Sequence, residues 1–75
     1  MNKDRRAKIA KIINEIEAVK EILQSVLSDE QDSFDNMPEN LQSSMRAEES
    51  EEAIDSMENA IEMLESAVEE LGNIN

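Results

Sequence analysis

Residues 53–73 read AIDSMEN, AIEMLES and AVEELGN, which are three consecutive copies of one seven-residue pattern. Each copy begins with alanine, continues with isoleucine or valine, and has methionine or leucine at its fifth position. Apolar residues spaced alternately three and four apart are typical of a helix that packs lengthwise against another helix. The stretch therefore predicts a long amphipathic helix, over about residues 47–71, and a helical neighbour for it.

The beginning of the chain carries a second amphipathic pattern, which predicts a helix over about residues 3–32. Such a helix is roughly 45 Å long at about 1.5 Å per residue. The residues that we assign to its heptad a and d positions are Ile9, Ile12, Ile16, Val19, Leu23 and Val26. The apolar residues that flank this row are Ile13, Ile22 and Leu27. The apolar face is therefore wider than a two-stranded contact needs.

Residues 33–46 interrupt the helical pattern and predict a connector that contains a short helix. We expect Asn36 to cap this helix, with Pro38 in its first turn and Glu39 as the reciprocal capping partner. A connector of this length exceeds the usual range for helical bundles, so a binding loop is the alternative to a purely structural role.

The two ends of the predicted hairpin have simple local signals. Phe34 and Met37 are the apolar residues expected to close the connector end. At the other end, Gly72 suits the left-handed conformation that often follows a helix.

The net charge of −12 is spread unevenly along the chain. Residues 1–11 contain five bases and one acid, whereas the remainder contains two bases and eighteen acids. The first helix thus begins with cations and the second ends with anions, which is the unfavourable sign for each helix dipole. An antiparallel arrangement offsets both mismatches because it places residues 3–11 beside residues 62–70. The sequence therefore predicts an all-α, antiparallel two-helix hairpin that forms a single domain.

One hairpin of this size has only a small core, and its extra apolar positions need a second layer. We therefore expect a homodimer that forms a four-helix bundle with two-fold symmetry. The alternative is a monomer that buries the same face on a different protein. The residues expected to form the self-assembly core are Ile9, Ile12, Ile16, Val19, Leu23, Ile54, Met57, Ile61, Leu64 and Val68.

Composition argues against several classes of function. The chain contains no cysteine and no histidine, so it lacks disulfides, thiolate metal sites and the commonest general base. The acidic residues 29–35 lack the glycine and the ligand spacing of a calcium loop. No apolar run is long enough to cross a bilayer, and no signal peptide is recognisable, which favours a cytoplasmic protein. We expect no enzymatic activity, no cofactor and no bound metal.

Two surfaces remain as candidates for contact with a protein partner of unknown identity, namely the connector and the acidic face of the second helix. Their residues are Phe34, Met37, Leu41, Glu51, Asp55 and Glu58. The acidic face could instead imitate nucleic-acid phosphates and block an enzyme that binds DNA or RNA, or it could serve only for solubility. The basic residues 3–16 have no aromatic anchor, so we expect neither membrane binding nor direct nucleic-acid binding.

Residues 33–48 read SFDNMPENLQSSMRAE and precede the acidic heptads. This arrangement resembles a group of small uncharacterised proteins of bacteriophages and Gram-positive bacteria that have a central F-D-N-x-P-E-x-L-Q-x-S segment. The matching residues are Phe34, Asp35, Asn36, Pro38, Glu39, Leu41, Gln42 and Ser44. Ala47 stands where the group tends to have glycine in R-G-E.

The resemblance implies no particular activity. It does imply a phage or mobile-element context, in which a small acidic protein binds a host or viral protein. Our expectation is therefore a non-enzymatic protein–protein interaction module. A structural accessory of virus assembly is a further alternative.

Overall fold

The structure is a computed structural model that describes residues 1–41 and 44–74. Helix α1 spans Lys3–Asp35, a short 3-10 helix spans Glu39–Leu41, and helix α2 spans Met45–Gly72. The two long helices pack against each other along a rod with Cα extents of 59 × 15 × 12 Å. The described residues form no strand. The predicted all-α antiparallel hairpin is confirmed.

Short polar side chains fix the start of each long helix. The Asn2 side-chain oxygen accepts a hydrogen bond of 2.8 Å from the backbone N–H of Arg5. The Ser44 hydroxyl oxygen accepts one of 3.3 Å from the N–H of Ala47, and the same hydroxyl donates to the Leu41 carbonyl. Each cap satisfies a backbone donor that has no partner within its helix. Ser44 thereby also ties the beginning of α2 to the short 3-10 helix.

Helix α1 is longer than predicted, because it continues past residue 32 as far as Asp35. Asn36 ends it: the Asn36 N–H donates to the Asp32 carbonyl at 3.0 Å, and the Met37 N–H donates to the Phe34 carbonyl at 3.1 Å. The prediction that Asn36 caps the short helix is therefore wrong, since that helix begins only at Glu39. The extra turn is explained by Phe34, which is half-buried at the next position in the row of α1 side chains that face α2.

The prediction of a left-handed Gly72 is also wrong. Gly72 is the last residue of α2, and no described residue has a positive φ. Asn73 follows with φ −78° and ψ −8°, and its N–H donates to the Glu70 carbonyl at 3.3 Å. The last turn tightens into hydrogen bonds between residues three apart, which satisfies the final carbonyls without a left-handed residue.

Each helix directs one continuous row of side chains at the other, and we call these two rows the inner face. The α1 positions on it follow steps of four and three: Ile9, Ile13, Ile16, Lys20, Leu23, Leu27, Glu30 and Phe34. The α2 positions follow steps of three and four: Ala47, Ser50, Ile54, Met57, Ile61, Leu64, Val68 and Leu71. These are the a and d positions of a coiled-coil-like pair.

The a and d positions assigned to α1 from the sequence were partly wrong. Ile9, Ile16 and Leu23 do lie on the inner face, but Ile12 and Val19 are exposed in the single hairpin. Val26 is exposed as well, whereas Ile13 and Leu27, which were assigned to the flanks, face α2. All five α2 residues of the predicted self-assembly core lie on the inner face.

The hairpin contains very little core. Among the described residues, only Ala47, Ser50 and Ile61 are buried, and no large side chain is fully buried. The other inner-face residues are half-buried. Because apolar burial is the main favourable term in folding, a single hairpin leaves much of its stabilising surface in contact with water.

Candidate interaction surfaces

The heptad positions beside the inner face differ in chemistry between the two sides of the hairpin. The g and c positions of the two helices include eight apolar residues, which we call the apolar flank: Ile12, Val19, Ile22 and Val26 of α1, and Ala53, Ala60, Met63 and Ala67 of α2. Charged residues occupy other g and c positions, among them Glu15, Asp29 and Glu49. At e and b positions α2 carries only acids, except at Gly72, and we call this row the acidic flank: Glu48, Glu51, Asp55, Glu58, Glu62, Glu65 and Glu69.

The packing of the helices places the α1 and α2 parts of the apolar flank on one side. Near the connector, Ser33 of α1 and Ala53 of α2, both at g positions, line one groove. Gln31 of α1 and Glu51 of α2, both at e positions, line the groove on the opposite side. Antiparallel helices pair g with g and e with e, so the same relation holds along the whole rod.

The apolar flank contains five of the six exposed large apolar side chains of the long helices, and the sixth is Met45. The exposed fractions are 44% for Ile12, 55% for Val19, 65% for Ile22, 49% for Val26 and 71% for Met63. Scattered apolar side chains on a surface are ordinary, whereas a contiguous patch marks an interaction site. Here Val19, Ile22 and Val26 follow one another at spacings of three and four on one side of α1, so these three side chains form a patch.

One hydrogen bond between the helices shows how they are aligned along the axis of the rod. The Ser50 hydroxyl donates to the Glu30 carboxylate at 2.6 Å, and both residues lie on the inner face. Each step toward the N-terminus of α1 corresponds to a similar step toward the C-terminus of α2, because both helices rise by about 1.5 Å per residue. Val19 therefore lies level with Ala60 to within about one residue.

The same relation pairs two further large residues of the apolar flank with alanines. Ile12 lies level with Ala67, and Val26 lies level with Ala53, by the same count along the two helices. Ala60 and Ala67 are half-buried, and Ala53 is exposed. The apolar flank is thus a strip with bulky side chains on its α1 half and mainly small ones on its α2 half.

The acidic flank is exposed at every one of its seven positions. Between Glu48 and Glu70, α2 carries ten acids and no base. Over the 28 residues of α2 this is one charge per about 4 Å of helix axis. Duplex DNA carries one charge per about 1.7 Å. The charge density of α2 is therefore less than half that of a nucleic-acid duplex.

The cationic start of α1 lies near the anionic end of α2, as the antiparallel arrangement predicted. Within the parts of the chain that the structure describes, the one ion pair is local to α1 and joins Lys8 to Asp4 at 3.1 Å. The attraction between the two chain ends therefore acts over a longer range than direct contact, and salt screens it readily.

The residues predicted as a partner surface fall on different sides of the hairpin. Phe34 lines the groove on the acidic side together with Glu51 and Asp55. Met37 and Leu41 line a separate groove, formed by the connector and the start of α2.

Glu58 belongs to the acidic flank, one heptad beyond Glu51. The predicted surface is thus not continuous. The acidic flank and the connector are separate candidates for contact with a partner.

Two features of the inner face were not anticipated from the sequence, namely the Glu30–Ser50 hydrogen bond and the position of Lys20. The sequence did contain a signal for the apolar flank. Ala53, Ala60 and Ala67 repeat every seven residues beside the apolar row, and Val26, Val19 and Ile12 repeat at the same interval on α1. Two sets of apolar residues that each repeat every seven residues, one on each helix, predict a second apolar surface beside the inner face.

In residues 1–41 and 44–74, no group of three or more acidic side chains is arranged to hold a metal ion. No helix over the same residues is long and apolar enough to cross a membrane. Comparisons with protein-family models, curated proteins and solved structures find no match to this chain. The resemblance of the connector to a group of phage and bacterial proteins stays a prediction.

Proposed function

We propose that this chain is a non-enzymatic protein–protein interaction module that works as a homodimer and also binds a second, different protein. The observation that carries the proposal is the apolar flank, which exposes Val19, Ile22 and Val26 side by side on a hairpin with almost no core of its own. Large apolar patches on small domains mark protein contacts, and covering this one would supply burial that the hairpin lacks.

The proposed second partner is a host or viral protein, met in the cytoplasm, as the resemblance to phage and mobile-element proteins implies. The two surfaces available for it are the acidic flank and the connector groove around Leu41. The acidic flank favours a basic partner surface because complementary charges speed encounter and select the partner.

A binding experiment tests this proposal. The full chain is immobilised and exposed to extract, and each retained protein is then purified and titrated against three chains. These are the unmodified chain, a variant with Glu51→Gln, Asp55→Asn and Glu58→Gln, and a Leu41→Ser variant. We expect one protein to bind the unmodified chain and to lose at least about tenfold in affinity with one of the two variants. The absence of any partner that discriminates among the three chains would contradict this part of the proposal.

An acidic nucleic-acid mimic is a second candidate function, favoured by the unbroken acidic flank. A mimic predicts that the partner is a DNA- or RNA-binding enzyme, that DNA competes with the chain, and that affinity falls steeply with salt. The low charge density of α2 favours the interaction module. Competition by duplex DNA, measured with the same purified partner, separates the two candidates.

A further inference from the structure

We propose that the occupant of the apolar flank is a second copy of this chain, related by a two-fold axis parallel to the helices. In this arrangement α1 of each copy lies against α2 of the other, and all neighbouring helices in the bundle are antiparallel. The inference rests on the proposed function, because it specifies the surface and the geometry of the self-association proposed there.

Shape complementarity is the first argument for a second copy. The α1 half of the apolar flank presents Val19 and Ile22, and the α2 half is lined mainly by alanine. A two-fold axis parallel to the helices keeps every residue at its own height, so Val19 of one copy meets the Ala60 level of the other. Ile12, Val19 and Val26 each then pack over an alanine of the other copy, which allows the helices to approach closely.

The other two-fold arrangement, with its axis across the rod, fits poorly. It places α1 on α1 and α2 on α2, so bulky residues oppose bulky ones and alanines oppose alanines. Such an interface has voids along α2 or overpacking along α1, and both are unfavourable. It also brings together two copies of α2, each with ten acids between Glu48 and Glu70.

Charge is the second argument for the parallel axis. Residues 3–11 carry five of the chain's seven cationic side chains, and residues 62–70 carry only acids among their charged side chains. With α1 against α2 of the other copy, each cationic end gains a second anionic neighbour. The arrangement that attracts these ends is thus the same one that gives the better packing.

The exposed area is the third argument. The chain exposes 5815 Å², whereas a compact monomer of 8.5 kDa exposes about 4650 Å². The excess of about 1150 Å² is comparable to the roughly 800 Å² that each partner buries in a standard protein interface. In the proposed dimer the acidic flanks lie on the outer sides, so both remain available to another partner.

Two matched substitutions test the surface. Ile22→Glu adds a carboxylate to the apolar flank, and Ser25→Glu adds one to the outward side of α1 three residues away. In sedimentation equilibrium we expect the unmodified chain and Ser25→Glu to be dimers, and Ile22→Glu to dissociate at least about tenfold more readily. Circular dichroism checks that each variant retains its helices. The spectra are compared at protein concentrations at which the variants are dimeric to the same extent.

A distance measurement tests the geometry. The chain has no cysteine, so Lys3→Cys gives a single site for a spin label in each copy. The proposed axis puts both labels at one end of the bundle, less than about 30 Å apart, given helix spacings of about 8–10 Å. The axis across the rod separates them by about 48 Å, because Lys3 lies 16 residues from Val19 at the centre of the strip.

The outcomes separate this inference from the proposed function. A dimer with the long label distance, or one that Ile22→Glu weakens no more than Ser25→Glu does, overturns the inference and leaves the self-association intact. A chain that sediments as a monomer at all concentrations overturns both the inference and the self-association. A dimer with the short distance that Ile22→Glu selectively weakens supports both.

Discussion

At the scale of single residues, the contact between Ser50 and Glu30 distinguishes this hairpin from a uniform apolar pair of helices. Ser50 is buried, and its hydroxyl donates to the half-buried Glu30 carboxylate at 2.6 Å. Apolar contacts at heptad spacing tolerate a shift by one heptad, whereas a single polar contact between helices does not. The hydrogen bond therefore specifies one register, as buried polar residues do in coiled coils.

We predict that Ser50→Ala destabilises the folded protein by about 1–2 kcal/mol, since the Glu30 carboxylate loses a donor while staying half-buried. The measurement is urea unfolding followed by circular dichroism at fixed protein concentration. Ser66→Ala, on the outward side of α2, is the control because it makes the same change in helix propensity. Equal stability of the two variants would show that the hydrogen bond contributes nothing.

At the scale of the helices, the sequence predicted α2 better than α1, and the reason is physical. In α2 the large aliphatic side chains form one dominant row, so Ile54, Ile61 and Val68 could be assigned to the inner face directly. In α1 two apolar rows run side by side. Choosing between them required knowing that Lys20 and Glu30 are tolerated on the inner face, which depends on the partner helix.

The helix ends also show that local sequence signals alone do not determine the structure. Asn36 and Gly72 both carry local cap signals, and each signal predicted the wrong conformation. The caps that form at the helix starts, Asn2 and Ser44, were not predicted, because the second helix was expected from about residue 47 and Ser44 therefore fell in the connector. A cap depends on where its helix begins or ends, and that depends on how far the packing of the helix continues.

Gly72 offers a direct test at this scale. Its φ is negative, and a methyl group added at Gly72 meets nothing within 4 Å. We predict that Gly72→Ala stabilises the protein by about 0.5–1 kcal/mol, because alanine has less conformational freedom to lose. Thermal unfolding checks this against Ser66→Ala, a change to alanine one and a half turns earlier in α2. A lower unfolding temperature for Gly72→Ala would indicate the left-handed conformation instead.

At the scale of the whole molecule, most of the acids of α2 lie on one side of the rod, and most of the exposed apolar side chains of the long helices lie on the other. The net charge of −12 is concentrated on α2, and its acidic flank contains seven carboxylates within one row. Repulsion among them opposes folding and favours an extended chain. A hairpin with this distribution gains stability from anything that screens the acids or covers the apolar flank.

We therefore predict that salt stabilises the protein. Raising NaCl from about 0.02 M to about 0.5 M shortens the Debye length to a few ångströms, which screens repulsion along the acidic flank. The unfolding temperature should rise by several degrees. A variant with Glu58→Gln and Glu62→Gln should respond less to salt, since it removes two adjacent members of the row. A fall in unfolding temperature with salt would show that attraction between the chain ends outweighs this repulsion.

The central claim is that the apolar flank is covered when the protein is alone in solution at a concentration where it associates. Methyl NMR with a soluble paramagnetic agent measures this directly. In a single hairpin Ile22 is 65% exposed, whereas Leu64 is half-buried on the inner face. We predict that the paramagnetic agent increases the relaxation rate of the Val19 and Ile22 methyl groups as little as that of the Leu64 methyl groups. Dilution to the single hairpin should expose Val19 and Ile22 to the agent and raise their relaxation rates. Relaxation of Ile22 as fast as that of Ile74 in the exposed tail, at every concentration, would contradict the claim.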